Sequence, residues 1–271
     1  MSARVRVCVA GATGWVGRGL CPAIAASPDL ELTGAAARSA AGKTLGDVLG
    51  DPRLNVRVAA TAAEALDAGA GADVFVDYTS AHSVRDNVEA AIARGVHVVV
   101  GSSGLSDGEY ADIDRRARDR GVGVLAAGNF AITAVLLQRF AEMAARQIPQ
   151  WEIIDYGKAA KPDAPSGTAR ELASRLGRVG APRVEVPVAD THGQREARGA
   201  DLAGTRAHSV RLPGFVSSIE VLFGLADERL SIRHDSGSGA GPYVAGTLLA
   251  IRKVVGFTGL RRGLDSVMEN L

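Results

Sequence analysis

Lys158-Ala159-Ala160-Lys161-Pro162-Asp163-Ala164-Pro165-Ser166-Gly167-Thr168-Ala169 is the stretch richest in residue types that bind and move charge. Pro165 breaks the preceding chain, and Ser166, Gly167 and Thr168 then open a helical pattern. The free N–H groups and hydroxyls of such a helix start can hold a carboxylate, with Lys161 beside it as a point charge. Taken alone, the segment also reads as an ordinary Ser/Thr helix cap. A second candidate lies near the N-terminus, where Gly11, Gly14 and Gly17 stand in GATGWVG. A tight glycine turn between a strand and a helix lets backbone N–H groups approach a pyrophosphate. The spacing is G-x-x-G-x-x-G, and its place directly after the first strand of an alternating run turns a weak motif into a dinucleotide site. The expected contacts in that turn are Gly11, Ala12, Thr13, Gly14, Trp15, Val16 and Gly17.

About 20 residues on, where an NAD-preferring site carries an acidic group, the chain reads GAAARSAAGK, with Arg38, Ser39 and Lys43 and no carboxylate before Asp47. A cation and a hydroxyl there favour a 2′-phosphate, so NADPH is expected to be preferred, with NADH as the alternative. Three later loops, Asp77-Tyr78-Thr79-Ser80, Gly101-Ser102-Ser103-Gly104 and Ala127-Gly128-Asn129-Phe130, follow apolar runs. Ligands of open parallel sheets bind outside the carboxyl ends of the strands, so Thr79, Gly101, Ser103, Ala127, Asn129 and Phe130 join Arg38 as candidate cofactor contacts.

The elements that must hold these residues follow from hydrophobic periodicity. Arg4 to Ala10 reads as a buried strand, Val16 to Ala26 as a helix and Leu30 to Ala36 as a second strand. Helical Ala62 to Ala68 leads to a strand at Asp73 to Tyr78, helical Ser83 to Arg94 to one at Val96 to Val100, and helical Asp107 to Arg120 to one at Val122 to Ala126. That alternation predicts a Rossmann-like, doubly wound parallel sheet. From Ala131 the texture changes. A helix to about Gln147, a strand at Trp151 to Tyr156 and a helix near Thr168 to Leu176 precede four alternating segments, VEVPVAD, RAHSVRL, SSIEVLF and RLSIRHD. Successive strands without long crossovers predict an inserted α+β domain on an open, mostly antiparallel sheet, and Pro242 to Leu271 returns to helical spacing. The expected domains are 1–130 plus 242–271 for the dinucleotide and 131–241 for substrate and oligomerisation.

Composition narrows the partners. In 271 residues, 31 Lys and Arg nearly cancel 30 Asp and Glu, so no basic field exists to hold nucleic acid or an anionic membrane. Cys8 and Cys21, the two cysteines, have no metal-ligand spacing and read as buried small hydrophobes, so no metal is expected. No apolar stretch approaches the ~18 residues of a membrane span and no signal-peptide core opens the chain, which points to the cytoplasm and a small-molecule partner.

The order of motifs resembles the dihydrodipicolinate reductase family: GATGWVG, VDYTSAHSV, GSSGLSD, AGNFAI, KPDAPSGTARELA and SVRLPG…EVLFG…LSIRH span nearly the whole chain. The resemblance implies an N-terminal Rossmann domain, a sheet domain that builds a homotetramer, NADH or NADPH as hydride donor, and a place in the diaminopimelate and lysine pathway. It also implies a cyclic imine-type dicarboxylate gripped at Lys161, Ser166, Gly167 and Thr168. The chain departs from the family where Glu-x-His-His-x-x-Lys becomes Asp155-Tyr156-Gly157-Lys158-Ala159-Ala160-Lys161. Gly157 thus replaces the histidine proposed as general acid, and Ser217-Ser218-Ile219-Glu220 replaces a Gly-Glu-His-Thr segment. Lys158 and Lys161 become the candidate catalytic residues, Lys158 as proton donor; a lysine donates well near neutrality only when desolvation or a neighbouring cation lowers its pKa. Of the histidines, His82 and His97 read as structural, while His192, His208 and His234 are candidates for the vacated volume. Three functions meet this pattern: the pathway reductase, a reductase of another imine or unsaturated carboxylate, and a non-catalytic dinucleotide-binding sensor.

Overall fold

A computed structural model describes residues 4–68 and 70–268. The chain divides into two compact units, residues 1–132 with 240–271 and residues 133–239. The first unit is built on seven parallel strands: β1 (Val5–Ala10), β2 (Leu30–Ala36), β3 (Val58–Ala59), β4 (Val74–Asp77), β5 (His97–Val100), β6 (Gly123–Ala126) and β12 (Gly259–Arg262). Their order is β12-β6-β5-β4-β1-β2-β3, so the sheet reverses direction of growth at β1, between β2 and β4. Helices α1 (Gly17–Ala26), α2 (Leu45–Leu49), α3 (Ala62–Asp67), α4 (Val84–Ala93), α5 (Asp107–Arg120) and α8 (Gly241–Val254) complete the unit. The strands are short apolar runs because side chains on both faces are covered; all four residues of β4 and of β6 are buried. Two helices begin with reciprocal capping boxes, Thr61 with Glu64 for α3 and Ser106 with Glu109 for α5.

The C-terminal stretch departs from its helical reading. Helix α8 ends at Val254, and β12 then adds a seventh strand parallel to β6. As an edge strand, Gly-Leu-Arg-Arg needs no apolar run, and its arginines lie over rings, Arg261 on Phe257 and Arg262 on Tyr110. Residues 269–271 of that stretch lie outside the described residues. The short α2 and β3 carried no periodicity long enough to be read.

The second unit contains a five-stranded sheet, β7 (Trp151–Gly157), β8 (Ala200–Leu202), β9 (Thr205–Arg211), β10 (Ser217–Leu225) and β11 (Glu228–Ser236), in the order β11-β10-β7-β9-β8. All pairs are antiparallel except β7 with β9, which α7 (Gly167–Val179) connects as a crossover. One face packs on α7 and on α6 (Ile132–Ala145) through Leu137, Ile153, Leu172, Leu176, Val221 and Phe223. Alternation along β7 is strict, with Trp151, Ile153, Asp155 and Gly157 buried. VEVPVAD is not a strand: Pro187 removes a donor within it, Val184 and Val186 are exposed, and only Val188–Asp190 forms a short 3₁₀ turn. Strand β8 takes the sheet edge instead.

Inside this core the Trp151 indole donates to the Thr205 hydroxyl at 3.1 Å, and Thr205 has no exposed surface. Thr205→Val keeps the shape but leaves the indole N–H unpaired, so unfolding in urea followed by tryptophan fluorescence should show a loss of about 1–3 kcal/mol.

Candidate functional site

In the first unit, β1 ends at Ala10 and the glycine turn begins at once. Gly11 has φ +81°, and a Cβ there would run into the Tyr78 carbonyl oxygen. A Cβ on Gly17 would strike the carbonyl of Gly11, so these two glycines are required by the chain's own packing. Gly14 differs: its N–H closes the turn onto Gly11 O at 2.9 Å, and an added Cβ would meet only that oxygen, at 3.1 Å. Among the described residues, no acceptor pairs the N–H groups of Thr13, Trp15 or Val16. A turn with free donors at the start of α1 is what a pyrophosphate requires, so the residues present fit a dinucleotide.

A cleft of about 450 Å³ opens at this point, lined by Gly11, Thr13, Gly14, Arg38 and Thr79 among others. It lies where the sheet order reverses, with β2 on one side of β1 and β4 on the other. Among the described residues, no Asp or Glu lines it and Arg38 is its one cation. Other expected contacts stand apart from this cleft. Gly101 and Ser103 follow β5, and Ala127 and Asn129 follow β6, along the same carboxyl edge. Asn129 Oδ1 accepts the Ala131 N–H at 2.8 Å. Ala12 and Phe130 are buried, so their side chains are packing groups, Phe130 standing edge-on to Tyr78. Trp15 is exposed with its edge against Tyr243.

One organising residue of this region was not singled out from sequence. Asp77, fully buried, accepts from the Thr79 N–H and hydroxyl at 3.1 and 2.9 Å, from Ser102 Oγ at 2.5 Å and from Asn87 Nδ2 at 2.8 Å. It thereby joins the loops after β4 and β5. An aspartate ending an apolar strand was the available signal.

In the second unit the helix start is built as expected, with some donors already in use. Ser166 Oγ accepts the Ala169 N–H at 3.2 Å as the cap of α7, and the Ser166 N–H donates to Asp155 Oδ2 at 2.8 Å. Among the described residues no acceptor pairs the N–H groups of Gly167 and Thr168, which open the helix. Lys161 Nζ binds both carboxylate oxygens of Asp163, at 2.5 and 2.7 Å, and this pair holds the Asp163 carboxyl below its usual range. Lys158 is exposed, and its carbonyl accepts the Lys161 N–H at 3.0 Å. It has none of the burial that a desolvated lysine acid needs.

Two family descriptions match the chain: dihydrodipicolinate reductase, N-terminus, over residues 5–130, and dihydrodipicolinate reductase, C-terminus, over residues 133–268. The chain belongs to the dihydrodipicolinate reductase family. Proteins described as 4-hydroxy-tetrahydrodipicolinate reductase are 38% identical in Syntrophomonas wolfei, over all of both chains, and 36% identical in Desulfitobacterium hafniense, over 98% of this chain and 99% of that one. A solved dihydrodipicolinate reductase from Paenisporosarcina sp. TG-14, with dipicolinate bound, superposes with a TM-score of 0.84 at 29% identity, covering 98% of this chain and all of that one. An amine dehydrogenase from Mycobacterium smegmatis, 17% identical with a TM-score of 0.65 over 99% of this chain and 97% of that one, shares the fold. The chain is thus an NAD(P)H-dependent oxidoreductase with a Rossmann first unit.

Against that family, the volume released at Gly157 is not taken by a histidine. His192 is exposed, His208 Nε2 pairs with Glu152 at 2.7 Å, and His234 Nδ1 pairs with the Thr133 hydroxyl at 2.9 Å. Lys161 and Arg211 lean over Gly157 instead. At the other departure, Glu220 accepts from the Tyr156 hydroxyl at 2.9 Å, on the face of β7 opposite Asp155. In the first unit His97 is structural, its Nδ1 accepting the Gly123 N–H at 2.8 Å, and His82 is exposed. Both cysteines are buried and free, and burial pushes their thiols up to about 12.

The glycines sort into two classes by experiment. Gly14→Val should fold and bind NADPH at least tenfold more weakly in a fluorescence titration. Gly11→Val and Gly17→Val should lower the melting temperature sharply. A folded Gly14→Val with unchanged affinity would remove the turn from the cofactor site.

Proposed function

We propose that this enzyme reduces the cyclic imine dicarboxylate derived from 4-hydroxy-tetrahydrodipicolinate to tetrahydrodipicolinate, with NADPH preferred over NADH. The observation that carries the reading is the retained clamp in the second unit. There the orphan N–H groups of Gly167 and Thr168 and the Lys161 ammonium are fixed donors suited to a substrate carboxylate, on the Lys-x-Asp-Ala-Pro-Ser-Gly-Thr-Ala frame. Hydride is supplied by the nicotinamide when it is bound. The chain's own task is to hold the carboxylate, to neutralise charge developing on the imine nitrogen, and to see that nitrogen protonated as the C=N bond becomes CH–NH. Lys161 serves the first two roles, exchanging Asp163 for substrate. Lys158, exposed to solvent, or water relayed past it, brings the proton in place of the absent histidine.

Support for NADPH comes from the cleft at Arg38, which offers a cation and no carboxylate to an adenosine ribose. Support for a homotetramer comes from apolar side chains left exposed on the second unit's sheet and its long loop, among them Leu222, Leu225, Leu230, Val184 and Val186.

Cofactor oxidation with freshly generated pathway substrate, beside pyrroline and piperideine carboxylates, tests the substrate assignment; faster turnover of a monocarboxylate would defeat it. With the true substrate, Lys161→Ala should lower kcat/KM a hundredfold or more, about 3 kcal/mol of transition-state stabilisation. Lys158→Ala should lower kcat with a changed pH profile, and full kcat at every pH would leave the proton to water alone.

Coenzyme preference has its own measurement. The ratio of kcat/KM for NADPH over NADH should exceed one in the native enzyme and narrow in Arg38→Ala. A native preference for NADH would show that Arg38 does not read the 2′-phosphate.

A further inference from the structure

Arg211 stands directly opposite Gly157 in the parallel pairing of β9 with β7. A Cβ placed on Gly157 would lie 2.9 Å from Lys161 Cδ and 3.2 Å from both Cδ and Cζ of Arg211. The room a side chain at 157 would use is therefore filled by two cationic side chains reaching in from a loop and from the neighbouring strand.

The guanidinium is held on four of its five N–H donors. Nη1 donates to the carbonyls of Asp155 and Val210 at 3.1 and 2.9 Å, and Nη2 to Asp155 Oδ2 and the Asp163 carbonyl at 2.7 Å each. The fifth, Nε, is buried with no partner among the described residues. Asp155 Oδ2 also accepts from the Ser166 N–H and, at 3.3 Å, from the Ser209 hydroxyl. One planar fork thus ties strand β7 at 155 to the loop at 163 and, through the Asp155 carboxylate, to the cap of α7 at 166. Lys161 lies before those ties and Gly167 and Thr168 after them, so the distance between the two halves of the clamp is set by this pair.

We propose that Arg211 is the positioning residue of the carboxylate clamp, a permanently charged strut that occupies the place of the family's histidine and holds Lys161 in register with the start of α7. The inference rests on the reading of the clamp as a dicarboxylate site. An arginine suits the role where lysine does not. Its fork spans a carboxylate and a carbonyl at once, and its charge does not titrate in the working range. The strut also explains how Gly157 is tolerated: a bulky residue there would have to displace Arg211 from Asp155, leaving a buried carboxylate short of its counter-ion.

Calorimetric titration with dipicolinate, together with an NADPH titration, tests the proposal on three variants. Arg211→Lys retains charge beside Asp155 but not the fork. It should bind dipicolinate at least tenfold more weakly, with NADPH affinity within twofold of native and KM raised more than kcat is lowered. Arg211→Ala should do the same, and guanidinium ion at tens of millimolar should restore dipicolinate affinity at least fivefold where sodium at equal concentration does not. Gly157→His, which restores the family residue, should weaken dipicolinate rather than strengthen it. Native affinity in Arg211→Lys, loss of dipicolinate and NADPH affinity in equal measure, or an unimpaired Gly157→His would each overturn the strut. A native enzyme that binds no dipicolinate at all would instead remove the dicarboxylate reading on which the strut depends.

Discussion

The Asp155 carboxylate, 1% exposed, has to find every hydrogen-bond donor it needs inside the protein. Burial by itself would raise its pKa. The hydrogen bonds from Arg211 and Ser166 outweigh that and hold the group charged, below the usual carboxylate range. Everything that shapes the clamp follows from where those donors come from. Arg211 must reach from β9 to β7, the loop must bring its carbonyl at 163 to the same guanidinium, and the chain must enter α7 with the Ser166 N–H turned toward Asp155. A helix start that would otherwise be a plain Ser cap becomes an anchored donor array.

Asp77 plays the corresponding part in the first unit. It too is buried, and it draws donors from its own loop at Thr79, from α4 at Asn87 and from the loop after β5 at Ser102. The loops that follow β4 and β5 are thereby held at the point where the parallel sheet reverses. Two short polar networks of the same kind hold loops in the two units, because a buried carboxylate fixes loops by its need for donors and not by its own chemistry.

At Gly157, where the resemblance implies a histidine, no new residue enters the released room. No histidine moves in. The room is taken by Arg211 and Lys161, residues whose places in the chain were already set.

The fold class was legible in the sequence because it rests on periodicity and punctuation. Apolar runs bounded by glycine, helices of matching length between them, and the change of texture at Ala131 reflect local propensity and burial on both faces of a parallel sheet. The glycine turn and the Ser166 cap of α7 were legible for the same reason, since their local geometry is carried by neighbours in the chain. Strand β12 and the loss of VEVPVAD as a strand were not, because an edge strand is decided by whether a partner is present, and sequence does not display partners. Nor could sequence show that Ser166 is committed to Asp155, that Lys161 is held by Asp163, or that Arg211 fills the place of a missing side chain 54 positions earlier. Those are contacts between residues far apart or turned by a loop, and only the packing of β7, β9 and α7 determines which donor reaches which acceptor.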